Sequence, residues 1–191
     1  IIEIQKKHLP HNRSAVNGIQ TNGTLLDDEW CQFLKKENFM VGISMDGPER
    51  FHTANRFRRD GRSCFDEVLR GFQLLKSYEI PCEILCVVHA QNVRYPLEVY
   101  RFFKGLNAEF LTFIPLVERI SPGNNQVSDR TVSAKAFGEF LCAIFDEWKT
   151  EDIGTIKIQI FEEALRTAFG LDHSHCIFKQ TCGQVPVVEH N

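Results

Sequence analysis

Residues 80–116, IPCEILCVVHAQNVRYPLEVYRFFKGLNAEFLTFIPL, contain a strand, a helix and a second strand in one continuous run. The segments 80–88 and 109–116 are short and mostly apolar, as buried strands are. Between them, residues 96–104 begin with proline and repeat apolar side chains at helical spacing. Two strands joined through a helix predict a parallel pair with a right-handed crossover.

The same alternation extends over most of the chain. Further strand segments lie at 16–23, 39–48 and 155–161, and helical patterns at 27–37, from Ser63, and at 133–149. Ser63 followed by Asp66 matches a capping box, which predicts Ser63 as the N-cap. Because the strand at 80–88 is almost wholly apolar, we expect it to be covered on both faces.

Strands that alternate with helices predict a parallel α/β fold. A closed barrel of this kind has eight strands and about 250 residues. The chain has 191 residues and provides four βα units and one more strand. The predicted fold class is therefore α/β, a partial parallel (β/α) barrel.

Composition excludes several classes of function. The chain is 43% hydrophobic with a formal net charge of −3, which suits a globular domain and gives no electrostatic argument for nucleic acid. It contains no apolar run near the roughly 20 residues that cross a membrane. The seven cysteines are odd in number and mostly lie in apolar segments, which indicates buried thiols in a reducing, cytoplasmic setting. Residues 1–10 resemble the end of an amphipathic helix, without a signal-peptide profile.

Polar residues follow each of the first four strand segments. They are Thr21, Asn22 and Gly23, then Ser44, Asp46 and Gly47, then His89, Gln91 and Asn92, and finally Glu118 and Arg119. The carboxyl ends of parallel strands meet at one edge, so these residues predict a functional rim. The alternative is ordinary turn chemistry, since Asn-Gly and Asp-Gly-Pro are common turn sequences.

A basic segment after Gly47 is the strongest candidate for anion binding. It carries His52, Asn55, Arg56, Arg58, Arg59 and Arg62. Arg56 comes soonest after the strand, and an arginine fork can grip a carboxylate or a phosphate. A solvated basic loop is the alternative. The chain contains no glycine-rich phosphate-binding motif.

The last twenty residues contain a weak metal signal. Cys176 and Cys182 are six residues apart, and His173, His175 and His190 lie close by. This spacing is not the CxxC of a zinc ribbon. Two thiolates cannot by themselves hold an iron–sulfur cluster, which typically takes four cysteines.

Five segments together resemble a known family. They are QTNGTLLDDEWCQFL (20–34), VGISMDGP (41–48), ILCVVHAQN (84–92), VYRFFKGL (99–106) and FGEFLCAIFDEW (137–148). In this order and spacing they are similar to the anaerobic sulfatase-maturating enzymes, also known as arylsulfatase regulators. These are radical S-adenosylmethionine (SAM) enzymes with an auxiliary-cluster domain of the SPASM type. The resemblance covers the chain from about Gln20 to Asn191.

The resemblance implies an oxidoreductase that holds SAM and [4Fe–4S] clusters in a partial barrel. A radical derived from the cofactor takes a hydrogen from Cβ of a Cys or Ser in a sulfatase, and oxidation then gives Cα-formylglycine. The implied partners are the sulfatase polypeptide and an electron donor such as ferredoxin or flavodoxin, with neither nucleic acid nor membrane. The implied domains are a partial radical SAM barrel at 1–150, and at 151–191 the last barrel strand and helix followed by the start of the SPASM domain.

The resemblance also implies cofactor-binding residues. Ser44 corresponds to a serine that contacts SAM, on the strand that ends in Asp46, and Asp46 is itself expected among the cofactor-binding residues. Arg56 corresponds to an arginine that pairs with polar groups of the cofactor. Asn22 is expected to face the same cavity, and the backbone of Val117 to lie near the adenine.

For metal binding, the resemblance implies that Cys176 and Cys182 are the first two ligands of an auxiliary [4Fe–4S] cluster. The family's CxxxCxxC motif and its GGEP strand do not occur in these 191 residues. Its catalytic aspartate follows the position of Asn191. We therefore expect a central fragment that lacks the primary-cluster ligands, has no catalytic residue of its own and is inactive alone.

Two other functions remain open from the sequence. A radical SAM maturase of another ribosomal peptide would share every one of these features. A non-catalytic regulatory module would instead use His173, His175, Cys176 and Cys182 as four zinc ligands.

Overall fold

Five parallel strands form a single sheet in the computed structural model, which describes residues 1–121, 123 and 126–181. The strands are β1 (Asn17–Thr21), β2 (Phe39–Ser44), β3 (Cys82–Val88), β4 (Phe110–Pro115) and β5 (Lys157–Ile158). Their order in the sheet is their order in the chain. This winding in one direction confirms the predicted partial barrel, and the described strands do not close into a ring.

In the described part of the chain, seven α-helices connect or flank these strands. They are α1 (Ile2–His8), α2 (Asp28–Lys36), α3 (Glu49–Asn55), α4 (Phe65–Ser77), α5 (Pro96–Gly105), α6 (Ala134–Glu151) and α7 (Gln159–Ala168). Two 3-10 turns, Asn92–Arg94 and Cys176–Phe178, complete the described elements. The unit β3–α5–β4 is the one predicted from residues 80–116.

The strand register brings the carboxyl ends together. Thr21 lies beside Ile43, Ser44 beside Leu85, and Val88 beside Pro115. The segments that leave β1, β2, β3 and β4 therefore start from one edge of the sheet, as the fold class predicts. We call this edge the carboxyl rim.

The two faces of the sheet differ in burial. On β3, the side chains of Cys82, Ile84, Cys86 and Val88 are all buried, whereas Glu83 and Val87 on the opposite face are half-buried. Leu85, also on the opposite face, is buried. The prediction that 80–88 is covered on both faces therefore holds fully for one face and only in part for the other. The opposite face is the concave inner face of the partial barrel.

The core lies between the sheet and its helices. From α6, Phe140, Ile144 and Trp148 are almost completely buried, and the indole Nε1 of Trp148 donates to the carbonyl of Ile156 at 2.6 Å. Phe113 of β4 packs edge-on against Phe140, with ring centroids 5.3 Å apart. These contacts fix α6 behind β4.

Three local predictions were wrong. The segment 155–161 forms only two strand residues, because Gln159 already begins α7, whose buried residues Phe161 and Glu163 pack as part of a helix. Ser63 is one residue too early to be the N-cap, which is Cys64. The Ser63 hydroxyl instead accepts a hydrogen bond from the Phe65 N–H and forms another with the Thr53 hydroxyl. The basic segment after Gly47 is also not simply a loop, since Glu49–Asn55 is helical.

The structure also describes most of the cysteines and the length of the helices. Of the cysteines in the described part, Cys31, Cys64, Cys82, Cys86 and Cys142 carry free thiols. No helix within the described ranges has both the length and the apolar character that spanning a bilayer requires.

Candidate functional site

Ser44 and Asn22 lie side by side at the carboxyl rim. Asn22 follows the last residue of β1, which pairs with Ile43 immediately before Ser44. By strand alternation, Ser44 is on the concave face with Gly42, opposite the buried Val41 and Ile43. Among the described residues its hydroxyl has no hydrogen-bond partner, so it remains available to a ligand.

The Asn22 side chain is exposed and organises the turn after β1. Its Oδ1 accepts from the Thr24 N–H at 3.2 Å and from the Thr24 hydroxyl at 3.0 Å. Asn22 can still offer its amide nitrogen to a ligand, because only the oxygen is used in these contacts.

Arg56 forms the fork that the sequence predicts, and the carboxylate it grips belongs to the protein itself. Its Nε donates to Oδ2 of Asp46 at 2.7 Å, and its Nη2 donates to Oδ1 at 3.2 Å. The Asp46 side chain is 2% exposed and that of Arg56 is 28% exposed. One edge of the guanidinium is therefore fixed, while Nη1 has no partner among the described residues and can reach a ligand.

Asp46 is held on several sides. Besides Arg56, its Oδ1 accepts from the Val87 N–H at 2.9 Å, which ties the end of β2 to β3. Asn92, which is fully buried, donates Nδ2 to the carbonyls of Asp46 and Val87 at 3.1 and 2.9 Å. Both carboxylate oxygens of Asp46 are thus engaged, so Asp46 acts by orienting Arg56.

Two buried histidines lie beside this pair. His52 Nδ1 accepts from the Asp46 N–H at 3.4 Å, and His52 Nε2 lies 3.6 Å from Sγ of Cys64. Burial lowers the pKa of His52 to about 4, although Asp46 opposes the shift. Burial also lowers the pKa of His89, whose Nε2 has no hydrogen-bond partner in the described part of the chain. Both rings are neutral near pH 7.

Val117 lies where the chain leaves β4. It is 67% exposed, and the neighbouring backbone is fixed by bonds from the Leu116 N–H to Val88 and from the Glu118 N–H to the Thr131 hydroxyl. An ion pair between Glu118 and Arg130 closes the following loop. The segment is ordered by contacts that leave the Val117 side chain free.

The residues before Cys176 are organised by a buried carboxylate on α7. Glu163 is 3% exposed and accepts from the Ser174 N–H at 3.1 Å, from the Ser174 hydroxyl and from His173 Nδ1 at 3.2 Å, with His175 Nε2 at 3.8 Å. Burial raises the pKa of Glu163, but the hydrogen bonds from Ser174 and His173 outweigh it and lower the pKa to about 2.

The predicted metal ligands are only partly described. Cys176 begins the 3-10 turn that ends at Phe178, and Cys182 lies outside the described residues. Within the described ranges, no three His, Cys, Asp or Glu side chains form a group suited to a metal ion. His173 and His175 face Glu163, so the proposed zinc set gains no support from the described part of the chain.

A second concave region lies at the opposite end of the sheet. This cavity of about 700 Å³ is lined by the amino-terminal halves of the strands, by α7 and by residues 174 and 175. On its inner wall the Thr112 hydroxyl donates to Glu83. We place the candidate site at the carboxyl rim, because Ser44, Arg56 and Asn22 gather there and parallel α/β folds carry their chemistry at that edge.

Sequence reasoning missed Glu83, Thr112, Asn92 and Glu163 as organising residues. A signal existed for Glu83, since it is the one charged residue in an otherwise apolar strand segment. Asn92 was noted only as a polar residue of the rim. Nothing in the sequence marks Glu163, because its partners lie ten to twelve residues further along and meet it only through the turn after α7.

Comparison with known families identifies the first half of the chain. The Radical SAM superfamily matches residues 1–103. The serine-type anaerobic sulfatase-maturating enzyme of Bacteroides thetaiotaomicron is 40% identical over 203 residues, which cover 100% of this chain and 49% of that protein. The cysteine-type enzyme of Clostridium perfringens is 34% identical over 191 residues, covering 99% of this chain and 51% of that protein. The chain thus spans about half the length of these curated relatives.

Solved structures agree with these matches. The structure of anSMEcpe with bound AdoMet superimposes with a TM-score of 0.80 at 35% identity, covering 92% of this chain and 46% of that chain. The complex of anSMEcpe with AdoMet and the Kp18Cys peptide gives the same TM-score and covers 49% of that chain. Streptococcus suis SuiB shares the fold at 12% identity and a TM-score of 0.53.

Proposed function

Because the chain belongs to the radical SAM superfamily, we propose that it is the central part of an enzyme that oxidises a Cys or Ser of a sulfatase to Cα-formylglycine. The observation that carries this proposal is the rim itself. Ser44 lies two residues before Asp46, whose carboxylate holds one edge of the Arg56 guanidinium, and the relative anSMEcpe of the same fold has been solved with AdoMet and a peptide.

The residues present fit SAM. Its amino-acid carboxylate matches the unpaired edge of Arg56, since guanidinium and carboxylate form charge-assisted hydrogen bonds. Ser44 and Asn22 supply neutral donors beside it, and the backbone at Val117 borders the position proposed for the adenine. When bound, the cofactor supplies a carbon radical that removes a hydrogen atom from Cβ of the target residue.

The chain's own residues bind and orient in this proposal. Asp46 fixes the plane of the Arg56 guanidinium, so that little rotational freedom is lost when a carboxylate binds. Cys176 and Cys182 are proposed as the first two ligands of an auxiliary [4Fe–4S] cluster, with residues 151–191 containing the last barrel strand and helix and the start of the auxiliary-cluster domain. Since a cluster typically takes four cysteines, we assign no step to one on this segment.

The partners and setting follow from the same proposal. The substrate is a sulfatase polypeptide, and ferredoxin or flavodoxin provides the electrons. The free thiols Cys31, Cys64, Cys82, Cys86 and Cys142 suit the reducing cytoplasm.

A chimera tests the function directly. This chain replaces the matching segment of the B. thetaiotaomicron relative, and the chimera is assayed without oxygen on peptides that carry the target Ser or Cys. We expect SAM cleavage together with an aldehyde on the peptide, detected by mass spectrometry, and loss of both in Arg56→Ala.

The outcomes separate the candidate functions. A chimera with full iron content that cleaves no SAM would contradict the proposal. Cleavage of SAM without oxidation of either peptide would instead favour the maturase of another ribosomal peptide, which shares the radical chemistry but not the substrate.

A further inference from the structure

His52 and Cys64 lie beneath the ion pair between Asp46 and Arg56. His52 is 0% exposed and Cys64 is 7% exposed, so neither side chain is placed to touch a ligand. Buried polar groups nearly always form hydrogen bonds, because a buried donor or acceptor without a partner destabilises the fold. The contacts of these two side chains therefore indicate what they stabilise.

The hydrogen bonds form one chain with a single direction. The Asp46 N–H donates to Nδ1 of His52 at 3.4 Å, which places the ring proton on Nε2. Nε2 lies 3.6 Å from Sγ of Cys64, and the Cys64 thiol lies 3.7 Å from the carbonyl oxygen of Arg56, to which it donates. This series of hydrogen bonds begins at the backbone of Asp46 and ends at the backbone of Arg56.

Asp46 and Arg56 are thus joined twice. Their side chains form the bidentate pair, and their backbones are linked through His52 and Cys64. The Arg56 N–H also donates to the His52 carbonyl at 2.9 Å, where α3 ends. The ring of His52 meets that of Phe65 edge-on at 5.7 Å, which limits its rotation.

We propose that His52 and Cys64 are positioning residues, which hold the backbone of Arg56 at the distance from Asp46 that the guanidinium fork requires. They touch no substrate atom. This inference deepens the proposed function and rests on it for the identity of the ligand, because a displaced Arg56 would bind the SAM carboxylate less well. The double link itself does not depend on that identity.

Nuclear magnetic resonance of the isotopically labelled chain tests the link without any ligand. We expect His52 to be the Nε2–H tautomer and the Nε–H of Arg56 to exchange slowly with water. Cys64→Ala and His52→Phe should speed that exchange about tenfold, the effect of losing one hydrogen bond. Cys64→Ser, which keeps both a donor and an acceptor, should restore slow exchange.

The matched control is Cys31→Ala, which truncates another buried thiol, in α2, that takes no part in the hydrogen bonds between Asp46 and Arg56. An Nδ1–H tautomer of His52 would overturn the proposal. So would unchanged Arg56 exchange in Cys64→Ala, or the same acceleration in Cys31→Ala. If His52→Phe fails to fold, the exchange rates of Cys64→Ala, Cys64→Ser and Cys31→Ala still test the proposal.

The affinity for SAM tests whether the contacts of His52 and Cys64 also affect ligand binding. In equilibrium dialysis with labelled SAM, Cys64→Ala should raise the dissociation constant of the chimera about tenfold while Cys31→Ala leaves it unchanged. Faster Arg56 exchange in a protein that binds no SAM at all would contradict the proposed function and keep the positioning role. Unchanged SAM affinity in Cys64→Ala would contradict the positioning role in binding and keep the proposed function.

Discussion

At the residue scale, the buried carboxylate of Asp46 is stabilised by its ion pair with Arg56. A carboxylate that is 2% exposed loses nearly all its contact with water. The attraction within one ion pair seldom offsets the free energy of that desolvation. Here the Val87 N–H adds a further hydrogen bond to Oδ1, so the carboxylate is fully satisfied. The pair is therefore sensitive to the loss of either member.

Asp46→Asn should lower the free energy of unfolding by about 2 kcal/mol, since a hydrogen bond to a charged group is lost and Arg56 is left without its counter-ion. Urea denaturation measures the change. Asp60→Asn is the control, because the ion pair of Asp60 with Arg62 is exposed at the surface. We expect the control to change the stability by less than about 0.5 kcal/mol, and equal losses in the two variants would contradict this account.

Glu163 should make stability dependent on acid pH. Its pKa in the folded protein is about 2, below its ordinary value of 4.5, so ionised Glu163 stabilises the fold above pH 4.5. That contribution is lost as the pH falls through 4.5 towards 2. The gap in unfolding free energy between the wild type and Glu163→Gln should therefore shrink as the pH falls below 4.5.

The exposed neighbour Glu162 provides the matched control. Glu162→Gln should show the same dependence of the unfolding free energy on pH below 4.5 as the wild type. A gap for Glu163→Gln that stays constant down to pH 2.5 would show that Glu163 is not held in its ionised form by the turn at 173–175.

At the scale of elements, the close approach of α4 to the turn after β1 depends on two glycines. Gly23 has a φ of 75°, a left-handed conformation that favours glycine. A Cβ on Gly71 of α4 would lie 2.4 Å from the carbonyl oxygen of Gly23. The helix can pack here only because residue 71 has no side chain. The turn that carries Asn22 is thus positioned partly by α4.

Gly71→Ala should destabilise the protein by more than about 1 kcal/mol, although alanine is the better helix former, because the backbone of Gly23 must move. Gly138→Ala in α6 is the matched comparison, since a Cβ there meets no atom within 4 Å. It should stabilise by about 0.5–1 kcal/mol. Thermal or urea unfolding measures both, and the same sign for the two variants would contradict the proposed steric cause.

At the scale of the whole molecule, the open sheet determines what is exposed. Within the described residues, β1 pairs with β2 on one side and with no strand on the other. Its apolar residue Ile19 is 37% exposed. Free backbone donors and acceptors on such an edge favour pairing with another chain.

Concentration-dependent association should follow, and sedimentation velocity measures it. Ile19→Lys should reduce association, because a charge on an edge strand discourages strand addition. Phe169→Lys is the control, since Phe169 is 79% exposed but follows α7 and does not belong to β1. Equal reductions in both variants would indicate general hydrophobic contact rather than pairing through β1.

The order of strands and helices and the polar residues that follow each strand can be read from the sequence alone. Those features are local, because apolar periodicity and turn residues depend on near neighbours in the chain. The sequence also contained the resemblance that points to Ser44, Arg56 and Asn22. The short helix α3 and the early start of α7 escaped prediction, since alternating or basic segments of this length fit a strand or a loop equally well.

The pairing of the polar groups, by contrast, is visible only in the folded molecule. That Arg56 grips Asp46, that His52 and Cys64 link their backbones, and that Glu163 binds residues 173–175 all depend on segments folding back on one another. The inner face of β3 is only partly covered, because the helices of a (β/α) unit all cross on one side of the curved sheet. Burial then lowered the pKa of His52, and hydrogen bonds from the turn after α7 lowered that of Glu163, which no spacing of residues can reveal.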